Sequence, residues 1–76
     1  MSEYLDRATD ALAAAAGADP ATIALSDDDA RTLLEIARVA AHASERINAP
    51  LVCYLAGRLA GQASLDDIKR AVEALS

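Results

Sequence analysis

The chain has 76 residues, which is enough for one small domain, and it carries a net charge of −5. This charge disfavours contact with nucleic-acid phosphates or with an anionic membrane surface. One Cys and one His cannot form an internal disulfide or a Cys/His metal cluster.

The sequence favours a cytoplasmic location. The amino-terminal residues lack the basic segment and the apolar core of a secretory signal. The longest apolar run, residues 49–57, is far shorter than the roughly 20 residues that span a bilayer. A single unpaired Cys also fits a reducing compartment. We therefore expect an acidic cytoplasmic protein that does not bind a membrane.

The spacing of apolar residues predicts four helices joined by short connections. Their approximate ranges are residues 2–16, 27–47, 50–61 and 65–75. This pattern indicates the all-α class and a compact four-helix bundle that forms one domain over residues 1–76. The first helix is predicted to be capped by Ser2 and to end at Gly17.

The second helix is predicted to begin after Ser26. The carboxylates of residues 27–29 then complement the positive end of its dipole. This run of Asp lacks the spaced oxygen ligands and the glycine turn of a calcium loop. On the core side of the helix we expect Ala30, Leu33, Leu34, Ala37, Ala40, Ala41, Ser44 and Ile47. Charged and polar side chains follow one another along the opposite side.

The third helix is predicted to start at Pro50, because the residue before a proline avoids the helical conformation and Asn48 must therefore end the second helix. This third helix is apolar around most of its circumference, which predicts burial. Cys53, Gly57 and Gly61 form a small-residue groove, across which we expect the first or fourth helix to pack. The fourth helix is capped by Ser64 and is clearly amphipathic.

The candidate site lies on the second helix. Arg38, His42 and Arg46 stand at positions i, i+4 and i+8, which span only about 80° of a helix. They run towards the amino terminus of the third helix at Pro50, where free N–H groups and the dipole favour an anion. Such an arrangement suits a phosphate, a carboxylate or an acidic side chain of a partner.

The alternative is that these cations only stabilise the helix. Arg38 can pair with Glu35, and His42 can pair with Glu45 or donate to a loop carbonyl. His42 and Cys53 do not complete a catalytic or metal-binding constellation. We therefore expect no catalytic residue, no metal and no cofactor.

The same region carries a resemblance to a known family. The residues are Ala37-Arg38, Ala41-His42, Arg46, Ala49-Pro50-Leu51, Leu55, Gly57 and Ala60-Gly61. They resemble the signature of a small uncharacterised actinobacterial helical domain, which occurs alone or fused to the carboxyl terminus of molybdenum cofactor guanylyltransferase. The chain has no strand pattern and no glycine-rich nucleotide loop of a transferase. The resemblance therefore implies a link to molybdopterin-guanine dinucleotide biosynthesis without the catalytic activity.

Three functions follow as hypotheses. The leading one is a non-enzymatic accessory domain that binds a protein partner, namely the guanylyltransferase, through Arg38, His42, Arg46 and Pro50. The second is a module that binds a small anion or nucleotide at the same residues and at the start of the third helix. The third is a structural module that self-associates, for example as a homodimer, through the small-residue groove.

Overall fold

The computed structural model describes residues 2–75, and it contains four α-helices. They are α1 (Glu3–Ala16), α2 (Asp27–Ala43), α3 (Asn48–Arg58) and α4 (Leu65–Glu73), with a single 3₁₀ turn at Pro20–Thr22 between α1 and α2. No strand occurs among residues 2–75. The predicted all-α class and the compact four-helix bundle are confirmed.

Serine hydroxyls cap three of the helices, as the sequence predicts. Each Oγ accepts a hydrogen bond from the backbone N–H three residues further on, at N···O distances of 3.0–3.1 Å. The capping residues are Ser2, Ser26 and Ser64. Gly17 ends α1 in the left-handed conformation, with φ 67°, which glycine adopts without strain.

The end of α2 lies earlier in the chain than predicted. α2 ends at Ala43 and not at residue 47, and Ser44 has left the helical conformation, with φ −143° and ψ −114°. The Ser44 Oγ donates to the carbonyl oxygen of Ala40 at 2.7 Å and accepts from Asn48 Nδ2 at 3.1 Å. These side-chain bonds offer the backbone an alternative to continuing the helix.

The bounds of α3 and α4 also differ from the prediction. α3 begins at Asn48, so Pro50 is its third residue and not its first. Proline fits there because N–H groups in the first turn of a helix need no intrahelical acceptor. α3 ends at Arg58 and α4 at Glu73, before the predicted ends at residues 61 and 75. Gly61 turns the chain after α3 at φ 89°, a conformation that a side chain would strain.

α2 is the centre of the bundle. α3 and α4 both pack against it, whereas they make few contacts with each other. The main cluster of buried residues consists of Ile36 of α2, Ala56 of α3 and Ile68 of α4. Half-buried side chains surround it: Leu33, Val52, Cys53, Leu65 and Val72. The two outer helices therefore share a support but leave space between them.

α1 packs mainly against the 3₁₀ turn that follows it. Leu5 and Thr9 of α1 face Pro20 and Leu25 across a shallow crevice. Because this linker is close to α1 in sequence, it packs against the inner side of α1 at a low cost in loop-closure entropy. No extensive packing joins α1 to α2, α3 or α4 within residues 2–75.

The small-residue groove of α3 is open. Apart from its chain neighbours and the adjacent backbone of α3, nothing in residues 2–75 lies within 4 Å of a Cβ added to Gly57. The prediction that the first or fourth helix covers this groove is therefore wrong. The reason is that α1 is held by its own linker and α4 packs on α2.

Many large apolar side chains remain at the surface. They are Tyr4, Leu12, Ile23, Leu25, Leu34, Ile47, Leu51, Tyr54, Leu55, Leu59 and Leu75. The solvent-accessible area is 5622 Å², whereas a folded monomer of this mass is expected to expose about 4,400 Å². The prediction that α3 is buried all round is thus wrong, because no other helix covers its outer side.

Candidate functional site

Arg38 lies on an exposed side of α2 and is paired within that helix. Its Nη2 donates to Glu35 Oε2 at 2.8 Å, one turn earlier. This hydrogen bond, reinforced by the opposite charges, lowers the pKa of Glu35 and raises the pKa of Arg38. Both side chains are largely open to solvent, so the pair contributes little to stability. It does orient the guanidinium along α2.

His42 is exposed one turn further along α2. Its side chain makes no hydrogen bond or ion pair within residues 2–75, so the alternative pairing with Glu45 is not formed. A shallow pocket of about 390 Å³ is lined by Arg38, Val39, His42, Ala43 and Leu75. The structure therefore brings two of the predicted site residues together beside the end of α4.

Arg46 is separated from that pair. Because α2 ends at Ala43, Arg46 lies in the exposed turn before α3 and does not continue the helical stripe. It makes no ion pair with the described residues. The predicted face of Arg38, His42 and Arg46 is therefore not one continuous stripe.

The start of α3 offers few free amides to an anion. The N–H groups of Asn48 and Ala49 donate to the carbonyl oxygens of Glu45 and Arg46, at 3.0 and 3.1 Å. The next residue, Pro50, has no N–H. The geometry thus removes the donors on which the predicted anion site depended.

An apolar concave surface lies between α3 and α4, and we call it the α3–α4 groove. It encloses about 520 Å³. Its lining consists of Val52, Leu55, Ala56, Leu59, Ala63, Asp67, Ile68, Ala71, Val72 and Leu75. Asp67 contributes a carboxylate that pairs with Arg70 on the same helix, and the other lining residues are apolar. This groove follows from the way α3 and α4 diverge from α2.

The α3–α4 groove reaches two neighbouring depressions at the carboxyl end of α4. One of about 370 Å³ extends past Leu51 and Val72 to Ala40 of α2 and to Ser44, which follows α2. The other is the pocket that contains Arg38 and His42. Leu75 lines all three spaces. An apolar surface therefore leads directly to two basic side chains.

The sequence contained a signal for this groove. Leu51, Leu55 and Leu59 stand at i, i+4 and i+8 and form a leucine stripe along α3. The sequence alone predicts that this stripe is one more buried side of an apolar helix. Only the observation that α3 and α4 both pack on α2 reveals that the stripe is left uncovered.

Cys53 is not an activated thiol. It is half-buried, and its Sγ–H points at the carbonyl oxygen of Leu33 at 3.7 Å. Burial raises the pKa of the Cys53 thiol. α3 starts at Asn48, so Cys53 lies beyond its first turn, where the helix dipole has little influence on a thiol.

Among residues 2–75, no three His, Cys, Asp or Glu side chains are grouped so that they could hold a metal ion. No helix within this range combines the length and the apolar character needed to cross a membrane.

Comparison with known proteins places the chain in one family. A family profile described as "Domain of unknown function (DUF6457)" matches residues 1–76. No curated protein and no solved structure matches the chain. The family description names no catalytic activity. Because the match covers the full sequence, the chain belongs to the DUF6457 family of uncharacterised domains.

Proposed function

We propose that this domain is a non-enzymatic interaction module, and that it binds a helix of a partner protein in the α3–α4 groove. The observation that carries this proposal is the groove itself, an apolar cleft between two helices that pack on α2 and hardly on each other. A contiguous exposed apolar surface of this kind is typical of a site for a protein partner.

The chemistry of the groove favours an amphipathic helix as the bound segment. Leu55, Leu59 and Leu75 are all more than 40% exposed, and full burial of one leucine contributes about 1.5–3 kcal/mol. An extended peptide would leave its backbone groups unpaired there, because the groove offers no strand edge. A helix satisfies its own backbone and presents apolar residues at i, i+4 and i+7.

Two basic residues at one end of the groove favour an acidic side chain at the corresponding end of the bound helix. Arg38 and His42 lie beside Leu75, where the groove ends. An acidic side chain on the partner can reach these two residues while its apolar neighbours occupy the groove. We expect this contact to affect specificity more than affinity, because Arg38 is exposed and already paired with Glu35.

We further propose that the partner is the molybdenum cofactor guanylyltransferase. The support for this is the resemblance of residues 37–61 to the actinobacterial domain that occurs alone or fused to that enzyme. Within this proposal the domain assists molybdopterin-guanine dinucleotide biosynthesis as an accessory, and the chemistry stays with the transferase.

Binding to the guanylyltransferase tests the proposal through a matched pair of variants. Leu55→Glu places a charge in the groove and should weaken binding at least tenfold in isothermal titration. Leu34→Glu makes the same change on α2, at a residue that is 63% exposed and does not line the groove. It should leave the dissociation constant within about twofold. Equal binding by all three proteins would refute the groove as the interface.

Charge-reversal variants test whether Arg38 and Arg46 both contribute to partner binding. Arg38→Glu should weaken binding several-fold and reduce its dependence on salt, because Arg38 lies at the end of the groove. Arg46→Glu should have little effect, since Arg46 lies in the turn before α3. A larger loss of affinity for Arg46→Glu than for Arg38→Glu would instead place the interface at the turn between α2 and α3, near Pro50.

A further inference from the structure

α1 carries a second uncovered apolar surface. Its inner side packs against the 3₁₀ turn, whereas Tyr4 and Leu12 are 74% and 66% exposed. Tyr4, Ala8 and Leu12 stand at i, i+4 and i+8, so they form one stripe along α1. This stripe has the spacing that a helix-binding groove recognises.

We propose that α1 of a second copy of this chain occupies the α3–α4 groove, and that the exchange is reciprocal in a two-fold dimer. Each copy then covers both of its uncovered apolar surfaces, the α1 stripe and the groove. This goes beyond the proposed function, on whose groove it rests, because it says what fills the groove before the partner arrives. Partner binding and self-association therefore compete.

The dimensions of the two surfaces agree. α1 has 14 residues and α3 has 11, which correspond to lengths of about 21 and 16 Å. The Tyr4–Leu12 stripe therefore spans most of the groove between Leu75 and Leu59. The remainder of α1 is rich in alanine, and small side chains allow helix axes to approach closely.

The charges select one direction for the docked helix. The first eight residues of α1 carry Glu3, Asp6 and Asp10 against the single base Arg7, whereas the last six, residues 11–16, carry no charge. The acidic segment fits the end of the groove beside Arg38 and His42, where Glu35 and Glu73 also lie near Arg38, and the uncharged segment fits the end that contains Asp67. α1 then runs parallel to α3 and antiparallel to α4.

The exposed area is also sufficient for a dimer. The chain exposes about 1,200 Å² more than expected for a folded monomer of its mass. A standard stable interface buries about 800 Å² on each partner. Two reciprocal helix-in-groove junctions can therefore bring the exposed area of each copy into the usual range.

Sedimentation equilibrium of the full chain, between about 1 and 100 µM, tests the dimer. The unmodified chain and Leu34→Glu should be dimers, whereas Leu12→Glu and Leu55→Glu should be monomers with unchanged helical circular dichroism. Leu12 and Leu55 are both more than half exposed, so a charge at either position does not enter the core.

A mixture of the two monomeric variants tests the reciprocal exchange. The Leu55→Glu chain keeps an intact α1, and the Leu12→Glu chain keeps an intact groove. An equimolar mixture should therefore recover dimer through the one remaining junction, which neither variant forms alone. A monomeric unmodified chain, a dimeric Leu12→Glu variant or a mixture that stays monomeric would each overturn the inference.

The guanylyltransferase distinguishes this inference from the proposed function. Leu12→Glu should bind the enzyme more tightly than the unmodified chain, because its groove is not occupied by α1. If the unmodified chain is a monomer but Leu55→Glu still loses the enzyme, the inference fails and the proposed function stands. If the dimer forms and the enzyme binds neither the unmodified chain nor Leu12→Glu, the proposed function fails and the inference stands.

Discussion

At the scale of single residues, Gly57 and Gly61 show why spacing alone does not define a role. They lie four positions apart in the sequence, which suggested a shared close-packing surface. Gly57 has an ordinary helical conformation and open space around it, whereas Gly61 has a positive φ of 89°. A side chain can therefore be accommodated at Gly57, whereas the backbone conformation at Gly61 favours glycine.

Alanine substitutions should separate these two cases. Gly57→Ala should raise the free energy of unfolding by about 0.5–1 kcal/mol, because alanine is the better helix former and its methyl group meets no neighbour. Gly61→Ala should lower it by about 1–2 kcal/mol, because a Cβ is strained in that conformation. Urea denaturation followed by circular dichroism measures both. A destabilising Gly57→Ala would mean that something packs on α3 at this position.

At the scale of elements, the serine caps at the helix amino termini could be predicted from the sequence, but the position at which α2 ends could not. Ser2, Ser26 and Ser64 act through the first turn of their own helices, so the local sequence contains all the information. The end of α2 depends on Ser44, whose side chain bonds back to the helix and also to Asn48. Serine occurs both within helices and at their ends, so Ser44 alone does not show where α2 stops. The apolar Ile47 continues the helical spacing of apolar residues, and the predicted end of α2 therefore lies after Ala43.

The contribution of a helix cap to the free energy of unfolding should depend on how much of the core its helix supplies. Ser64→Ala removes the acceptor for the Asp67 N–H and should cost about 1 kcal/mol of unfolding free energy. α4 has only nine residues and supplies Ile68 to the core. Ser2→Ala removes an equivalent bond from α1, which packs mainly on the 3₁₀ turn. Its effect on global unfolding should be clearly smaller, and a larger effect for Ser2→Ala would contradict the packing described here.

At the scale of the whole molecule, the sequence predicted the number of helices but not which of them touch. Every helix has an apolar side, so a four-helix bundle with mutual burial was the simplest expectation. In the structure α1 associates with its linker, and α3 and α4 both use α2. Pairings of this kind depend on competition between distant surfaces, which periodicity within one helix cannot encode.

The candidate site changed for the same reason. Arg38 and His42 were predictable as exposed residues, because helical spacing fixes their side of α2. Their position next to Leu75 was not, since it requires the path of α4 across α2. The candidate site is an apolar groove that ends beside Arg38 and His42, and Arg46 lies apart from it.

The most direct test of this account is a map of the surface that contacts the guanylyltransferase. Amide spectra of ¹⁵N-labelled Leu12→Glu domain, whose groove is free of α1, should be recorded as unlabelled enzyme is added. The largest changes should fall on Val52, Leu55, Val72 and Leu75, with smaller changes at Arg38. Changes confined to Arg46, Ile47 and Asn48, with Leu55 and Val72 unaffected, would contradict the groove as the interface.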